Sequence, residues 1–332
     1  MTVTIGLAKL VSDNGGSLEL YMAEREVVVV VSGFFCGTGK KVPQYVEVAR
    51  QNHAAYCEAN GYIYRFYSDY DELLPSVDRS NFYRGCNSKP WHLERALREH
   101  RNASVVMWVD IDSLFMNNKR VEEILEENKS VYVAGDCSDY ANSGHFIIRN
   151  NESGLKILKT WRRLMDVRFS EEERWLCRFR LTSDGYIEGD QTALVATLGG
   201  AVENGKDIRE AFNLLNLYAG NEFRYFKNKS EANALTSDGL RVGQRVVDKH
   251  WKGEVRLMTQ RAMNSYVIGP VKGLYRTGDW LIHFVGDTRE LITRERFWVD
   301  SRTAPNGKTI GRWIVLYMIR RKIKEVVRRF YQ

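Results

Sequence analysis

The stretch VVMWVDIDSLFMN, residues 105–117, sets an apolar run directly before two aspartates that stand one residue apart. The run reads as a buried strand over Ser104 to Val109, because a strand wet on one face would alternate apolar with polar residues. Asp110 and Asp112 then emerge from the core at the C-terminal end of the strand, on backbone that burial makes rigid. A hard cation such as Mn²⁺ or Mg²⁺ takes oxygen ligands and keeps positions open for water and substrate phosphates, and paired carboxylates at a strand end supply such ligands. Acidic pairs at strand ends also serve as turn formers and solvated caps. The pair by itself leaves both readings open.

Upstream, Val27 to Phe35 reads as a second buried strand closed by Gly33 and Gly37, and its C-terminal end is where α/β proteins bind nucleotides. Gln44 to Asn60 carries apolar residues at helical spacing and ends at Asn60-Gly61, a C-terminal stop. Tyr62 to Tyr67 is the next strand, and Pro90 to Arg101 a helix with proline in its first turn. Downstream, Val121 to Asn128 is expected to be a short charged helix. Val131 to Gly135 and Phe146 to Ile148 are strands, and Gly154 to Met165, Ser170 to Arg180 and Asp190 to Leu198 are helices. Residues 203–278 read as short strands and loops, and residues 1–26 as a small hairpin or loose arm around the turn at 14–17. Three βα steps in about a hundred residues predict a doubly wound, mostly parallel sheet.

Composition bounds the class. The chain has 332 residues, of which 44% are hydrophobic and 27% charged, as in soluble globular proteins. The formal charge is +7, but residues 312–332 hold seven Lys and Arg against one Glu. A charge confined to one end argues against duplex nucleic acid as a partner and for a local anionic contact. The five cysteines (Cys36, Cys57, Cys86, Cys137, Cys177) are scattered without CxxC spacing, which suggests buried thiols rather than zinc or a disulfide framework. The N-terminus lacks a basic region followed by a long apolar run, so the expectation is a cytoplasmic chain without signal peptide or transmembrane segment. Four sequons begin at Asn102, Asn128, Asn151 and Asn228, and without a targeting signal they read as chance matches.

The tail from Arg312 to Gln332 interleaves Trp313, Leu316, Ile319, Ile323, Val326 and Phe330 with its basic residues, the pattern of an amphipathic basic helix. Packing on its own domain and peripheral attachment to an anionic membrane face both fit that pattern. Gly33, Gly37, Gly39 and Lys40 do not match GxxxxGK[ST] and read as a strand-to-helix loop near a base or ribose.

Several segments taken in order resemble one family. The DxD piece, with Trp108 and Phe115 around it, is similar to the metal-binding strand of GT-A glycosyltransferases. It resembles in particular glycosyltransferase family 34, the α-galactosyl-, α-xylosyl- and α-mannosyltransferases of plants and fungi. NHAAYCEANGYIYRF (52–66), SKPWHLERAL (88–97), NSGHFIIRN (142–150), EGDQTALV (188–195) and IHFVGD (282–287) resemble the segments that flank that strand in the family. The resemblance implies a GT-A fold, a mixed and mostly parallel sheet with flanking helices. It would span 27–300, with a nucleotide-binding half at 27–118 and an acceptor half at 119–300; the basic helix would occupy 311–332.

The resemblance also implies residue roles. Asp110, Asp112 and His283 would hold Mn²⁺ or Mg²⁺, with Asp112 and His283 the direct ligands and Asp110 contacting a ribose or a metal-bound water. Gly33, Phe34, Lys89, Ile111, Asn142, Ser143, Gly144, Gly286 and Arg289 would line the donor, and Asp190 and Gln191 would steady the sugar. From the residues themselves, Asn142, Ser143 and Gly144 form a tight turn in which Gly144 relieves the backbone. Asp190 reads equally as a helix cap, and His283, between Ile282 and Phe284, as a hydrogen-bonded core residue. His145 fits either a donor-facing or a core position. The family's cysteine after the histidine is here Asp287, and Arg289 takes the place of its expected lysine.

The implied function is metal-dependent, retaining transfer of a sugar from a nucleoside diphosphate sugar, UDP-linked by preference, to a glycan hydroxyl. The rivals are a catalytically inactive nucleotide-sugar or glycan-binding relative and a metal-dependent phosphoesterase. The phosphoesterase is disfavoured because its two metals need a denser carboxylate and histidine cluster.

Overall fold

The computed structural model describes residues 9–10, 20–21, 26–34, 41–68, 88–135, 141–165, 190–200, 237–267, 274–276 and 278–293. The expected Ser170–Arg180 helix, the basic tail, Gly37, Gly39, Lys40 and every cysteine except Cys57 lie outside them. At the N-terminus, β1 (Lys9–Leu10) pairs antiparallel with β2 (Leu20–Tyr21), and the expected turn at 14–17 lies outside the described residues.

The core sheet begins with β3 (Val28–Gly33), in which Val28 to Val31 are all at most 1% exposed. Alternate residues serve opposite faces. Val29 and Val31 pack with Trp91, Leu93, Val106 and Trp108, while Val28 and Val30 pack with Tyr56, Tyr62, Val105 and Met107. Two covered faces explain the unbroken valine run, since each fully buried valine contributes about 1.5 to 3 kcal/mol.

Helix α1 (Gln44–Asn60) follows Pro43, whose extended backbone precedes the first turn. It ends at Gly61, which takes φ of 70° and returns its N–H to the carbonyls of Cys57 and Glu58. A left-handed residue there costs glycine little, which makes Asn60-Gly61 an effective stop. After β4 (Ile63–Tyr67), α2 (Lys89–Glu99) leads into β5 (Val105–Val109) and then the short β6 (Ser113–Phe115). Next come β7 (Val131–Ala134), β8 (His145–Arg149), α3 (Glu152–Met165), α4 (Asp190–Leu198), α5 (Ser237–Trp251) and β9 (Val255–Met258). The described chain closes with the one-turn α6 (Gln260–Met263), β10 (Ser265–Tyr266), β11 (Leu281–His283) and a 3₁₀ turn over Gly286–Thr293.

The six-stranded sheet has the order β4-β3-β5-β8-β7-β9. β8 runs antiparallel to both neighbours, and the other pairings are parallel. This is the mixed, mostly parallel sheet with flanking helices expected of the GT-A fold. The chain leaves β3 toward β4 and returns to β5 on the other side of β3. The C-terminal ends of β3 and β5 therefore flank a topological switch point, where open α/β sheets bind ligands.

Two expectations are corrected. Val121–Glu123 forms a single 3₁₀ turn rather than a helix to Asn128, and Tyr62 bonds to it through Glu122 and the Val121 N–H. Within the stretch expected to be short strands and loops lies the 15-residue α5. Gly243, Val247 and Trp251, spaced by four, are its buried face. Among the described residues no helix is long and apolar enough to cross a membrane.

Candidate functional site

The site is assembled by a second, three-stranded sheet of order β10-β11-β6. β6 follows Asp112 directly, and β11 pairs with it antiparallel, setting His283 opposite Ser113. One further bond locks the register: the Phe284 N–H donates to the Asp112 carbonyl at 2.8 Å. Backbone pairing thus carries a histidine from the far end of the chain to the aspartates at the exit of β5.

His283 Nε2 lies 3.0 Å from Asp112 Oδ1 and 4.0 Å from Asp110 Oδ2. One ligand atom from each of Asp110, Asp112 and His283 falls within 4.8 Å of the other two, a grouping able to hold a metal ion. The donor set of two carboxylates and an imidazole fits a divalent ion.

Cations from the chain neutralise the carboxylates. Arg289, on the 3₁₀ turn after β11, donates through Nε to Asp112 Oδ2 at 2.6 Å. Burial works against the charge of Asp112, but the His283 imidazole and the Arg289 guanidinium hold its carboxyl well below the usual carboxylate range. Asp110 behaves oppositely. Burial pushes its carboxyl up and Asp112 adds to the rise, against the pull of Lys89.

Lys89, the first residue of α2, is 3% exposed. Its ammonium lies 2.8 Å from Asp110 Oδ1 and 2.7 Å from Asp190 Oδ2, and donates to the Ser143 carbonyl at 3.0 Å. The Trp108 indole N–H donates to Asp110 Oδ1 at 2.7 Å. Asp110 is thus fixed by an indole and an ammonium, while Asp112 faces the imidazole.

Asn142, Ser143 and Gly144 tie the aspartates to the start of α4. The Ser143 hydroxyl donates to Asp190 Oδ2 at 2.7 Å, and Asn142 Nδ2 donates to Gln191 Oε1 at 3.1 Å. The Gly144 carbonyl accepts from the Asp110 N–H at 2.9 Å. Gly144 is not a left-handed residue, which corrects the expectation that it relieves the backbone. Space is the reason for it: a Cβ would stand 2.7 Å from Asn142 Oδ1 and 3.0 Å from both Asp110 Oδ2 and His283 Cε1.

Residues 23–134, about a third of the chain, match the model of the galactosyl transferase GMA12/MNN10 family. Over that stretch the chain resembles this glycosyltransferase family. No curated protein sequence matches it significantly. Similar solved structures include a glycosyltransferase involved in the glycosylation of the major capsid of PBCV-1, at 12% identity over 80% of this chain and 96% of that one, with a TM-score of 0.45. Another is GlyE of Streptococcus pneumoniae TIGR4, at 9% identity over 85% of this chain and 63% of that one, with a TM-score of 0.33.

The fold brings Lys89, Asp110, Asp112, Asn142, Ser143, Gly144, Asp190, Gln191, His283 and Arg289 into one connected network. Gly33 and Phe34 stand apart from it, at the end of β3. Phe34 packs edge-on against Tyr45 in the cluster that also contains Ile111. Gly286 takes φ of 60° with open space around its missing Cβ, so conformation alone favours glycine there. His145 is fully buried and bonds to Ser113 Oγ and Asn264 Oδ1, which settles its placement in the core.

Asn264 and Tyr266 were not apparent in the sequence. Tyr266 sets its ring edge-on to His283 at 5.6 Å, and its hydroxyl lies 3.3 Å from Asn142 Nδ2. Both belong to the short α6 to β10 passage, where no periodicity signals a site.

Proposed function

We propose that the chain transfers a hexose or pentose from a nucleoside diphosphate sugar, UDP-linked by preference, to a glycan hydroxyl with retention of the α configuration. The observation that carries this reading is the convergence of Asp110, Asp112 and His283 at the switch-point edge of the sheet. Asp112 and His283 would hold a divalent cation, Mn²⁺ or Mg²⁺, with Asp110 beside them. A bound cation supplies neutralisation of the charge that builds on a diphosphate leaving group.

The remaining residues bind and orient. Gly33 and Phe34 at the end of β3, and Ile111 after β5, would face the base and ribose. Arg289 can present its guanidinium to a phosphate oxygen, exchanging Asp112 for a second anion. Lys89 and Trp108 fix Asp110, so that only one of its oxygens faces His283 closely. Asp190 and Gln191, steadied by Ser143 and Asn142, would take the sugar hydroxyls. Retention needs no dedicated general base in the chain; orientation of donor and acceptor is the task of these groups. Residues 27–118 would form the nucleotide half and 119–300 the acceptor half.

A donor screen tests the proposal. The full chain is incubated with UDP- and GDP-sugars, an oligosaccharide mixture, and either Mn²⁺ or a chelator, and released nucleotide is measured. Release that needs one donor, the metal and an acceptor is expected. Tight UDP binding without turnover on any donor would replace the transferase reading by that of a binding protein.

A further inference from the structure

We infer that Asn264 is a positioning residue for the metal site: its carboxamide oxygen accepts the Nδ1 protons of His283 and His145 together, leaving Nε2 of His283 aimed at the aspartates. The inference rests on the metal-site reading of Asp110, Asp112 and His283.

Two imidazoles converge on one atom. Asn264 Oδ1 lies 2.8 Å from His283 Nδ1 and 3.1 Å from His145 Nδ1. The two rings meet edge to face with centroids 5.0 Å apart. Asn264, His145 and Ser113 are each 0% exposed and His283 is 5% exposed, so water does not compete for these protons. A carboxamide oxygen only accepts. Both Nδ1 atoms must then carry hydrogen, and each neutral ring has its lone pair on Nε2. For His145 that lone pair accepts from the Ser113 hydroxyl at 2.8 Å. For His283, Nε2 lies 3.0 Å from Asp112 Oδ1; without a metal it donates to the carboxylate, and a bound cation would take the place of that proton.

The opposite orientation has opposite consequences. An amide nitrogen donating to both rings would force both onto the Nε2–H tautomer, and the proton on His283 would occupy the ligand atom. Metal-bound histidines commonly donate their second N–H to a carbonyl or carboxylate, and loss of that partner typically costs 10- to 100-fold in metal affinity.

Backbone placement supports the assignment. Asn264 caps the one-turn α6, its N–H donating to the Gln260 carbonyl at 2.7 Å, and the next two residues form β10, which pairs with β11. The strand that presents His283 is thereby bonded to the strand that begins beside Asn264.

His145 provides an independent reporter, since it shares the oxygen but does not face the aspartates. Its Nε2 pairs with the Ser113 hydroxyl, which can donate or accept, so its tautomer reads the orientation of the Asn264 amide. The test combines two measurements on the full chain. Long-range ¹H–¹⁵N correlation of histidine-labelled protein is expected to show His145 protonated on Nδ1. Mn²⁺ titration followed by electron paramagnetic resonance is expected to rank affinity as wild type equal to Asn264→Asp within about threefold, with Asn264→Leu weaker by about 10- to 100-fold.

A packing role gives the reverse order, because leucine keeps the branched shape of asparagine without a charge while aspartate buries one. His145 protonated on Nε2, or Asn264→Leu binding Mn²⁺ as tightly as wild type, would overturn the inference. Should Asn264→Leu fail to fold, the His145 tautomer and the aspartate variant still decide. Nδ1 protonation of His145 in a chain that binds no Mn²⁺ would uphold the orientation of Asn264 and remove the metal reading alone.

Discussion

The His283 imidazole stands 3.0 Å from the Asp112 carboxylate, although 171 positions separate them in the chain. The contact exists because β6 and β11 pair in a register that places Ser113 opposite His283. A histidine between two apolar residues ordinarily ends as a core residue. Here the strand pairing turns it toward the carboxylates.

Gly144 lies against the His283 ring of this contact. In Gly144→Ala the new methyl would press on Asn142 Oδ1, Asp110 Oδ2 and the His283 ring at 2.7 to 3.0 Å. Overpacking of this kind costs about 1 to 3 kcal/mol. Thermal unfolding is expected to drop by that amount, and Mn²⁺ binding by more than about tenfold, since two of the three pressed residues carry the ligand atoms. Wild-type affinity in a folded Gly144→Ala protein would contradict the packing described.

Lys89 holds two buried carboxylates from different elements. Lys89→Met leaves Asp110 and Asp190 facing each other without their shared cation, and breaking a buried pair costs about 3 to 5 kcal/mol. Lys89→Arg is expected to rescue poorly, because a planar fork does not reach two carboxylates and the Ser143 carbonyl as a point charge does. Chemical denaturation of the three proteins checks the order wild type, then arginine, then methionine.

His53 sets a pH limit on the fold. It is fully buried, its Nε2 donates to the Ser113 carbonyl at 2.9 Å, and its Nδ1 accepts from the Ser32 hydroxyl at 2.8 Å. Burial lowers its pKa from 6.5 to about 4. The unfolded chain therefore binds the proton more readily, so stability is full above pH 6.5 and falls between pH 6.5 and 4. The loss approaches about 3 kcal/mol from this residue, and His145, depressed in the same direction, adds to it. Denaturation series at pH 7.5 and pH 5 are expected to differ more for wild type than for His53→Gln; equal differences would contradict the assignment.

Much of this architecture is legible in the sequence, and the reasons are local. α1 and α4 have the boundaries their caps and spacing predict, because Gly61 can only stop a helix cheaply and Asp190 suits a helix start. The β3 and β5 runs read as doubly covered strands because nothing but valine-rich continuity fits two apolar faces. α5 was hidden for the opposite reason. Gly239, Gly243 and its β-branched valines lower helix propensity, and what forms the helix is burial of Val247 and Trp251 against the remainder of the core. The site divides in the same way. Asp110 and Asp112 announce themselves at a strand end, whereas the partners of His283 depend on β-pairing across most of the chain. Asn264 has no local signature at all.

The most direct measurement of the central claim is the electron paramagnetic resonance titration of Mn²⁺ into the full chain with UDP present, comparing wild type with Asp112→Asn and His283→Ala. One bound ion per wild-type chain is expected, with affinity reduced at least about 100-fold in both variants while their folded spectra are retained. Unchanged Mn²⁺ affinity in the folded variants would contradict the assignment of Asp112 and His283 as the ligands around which the site is built.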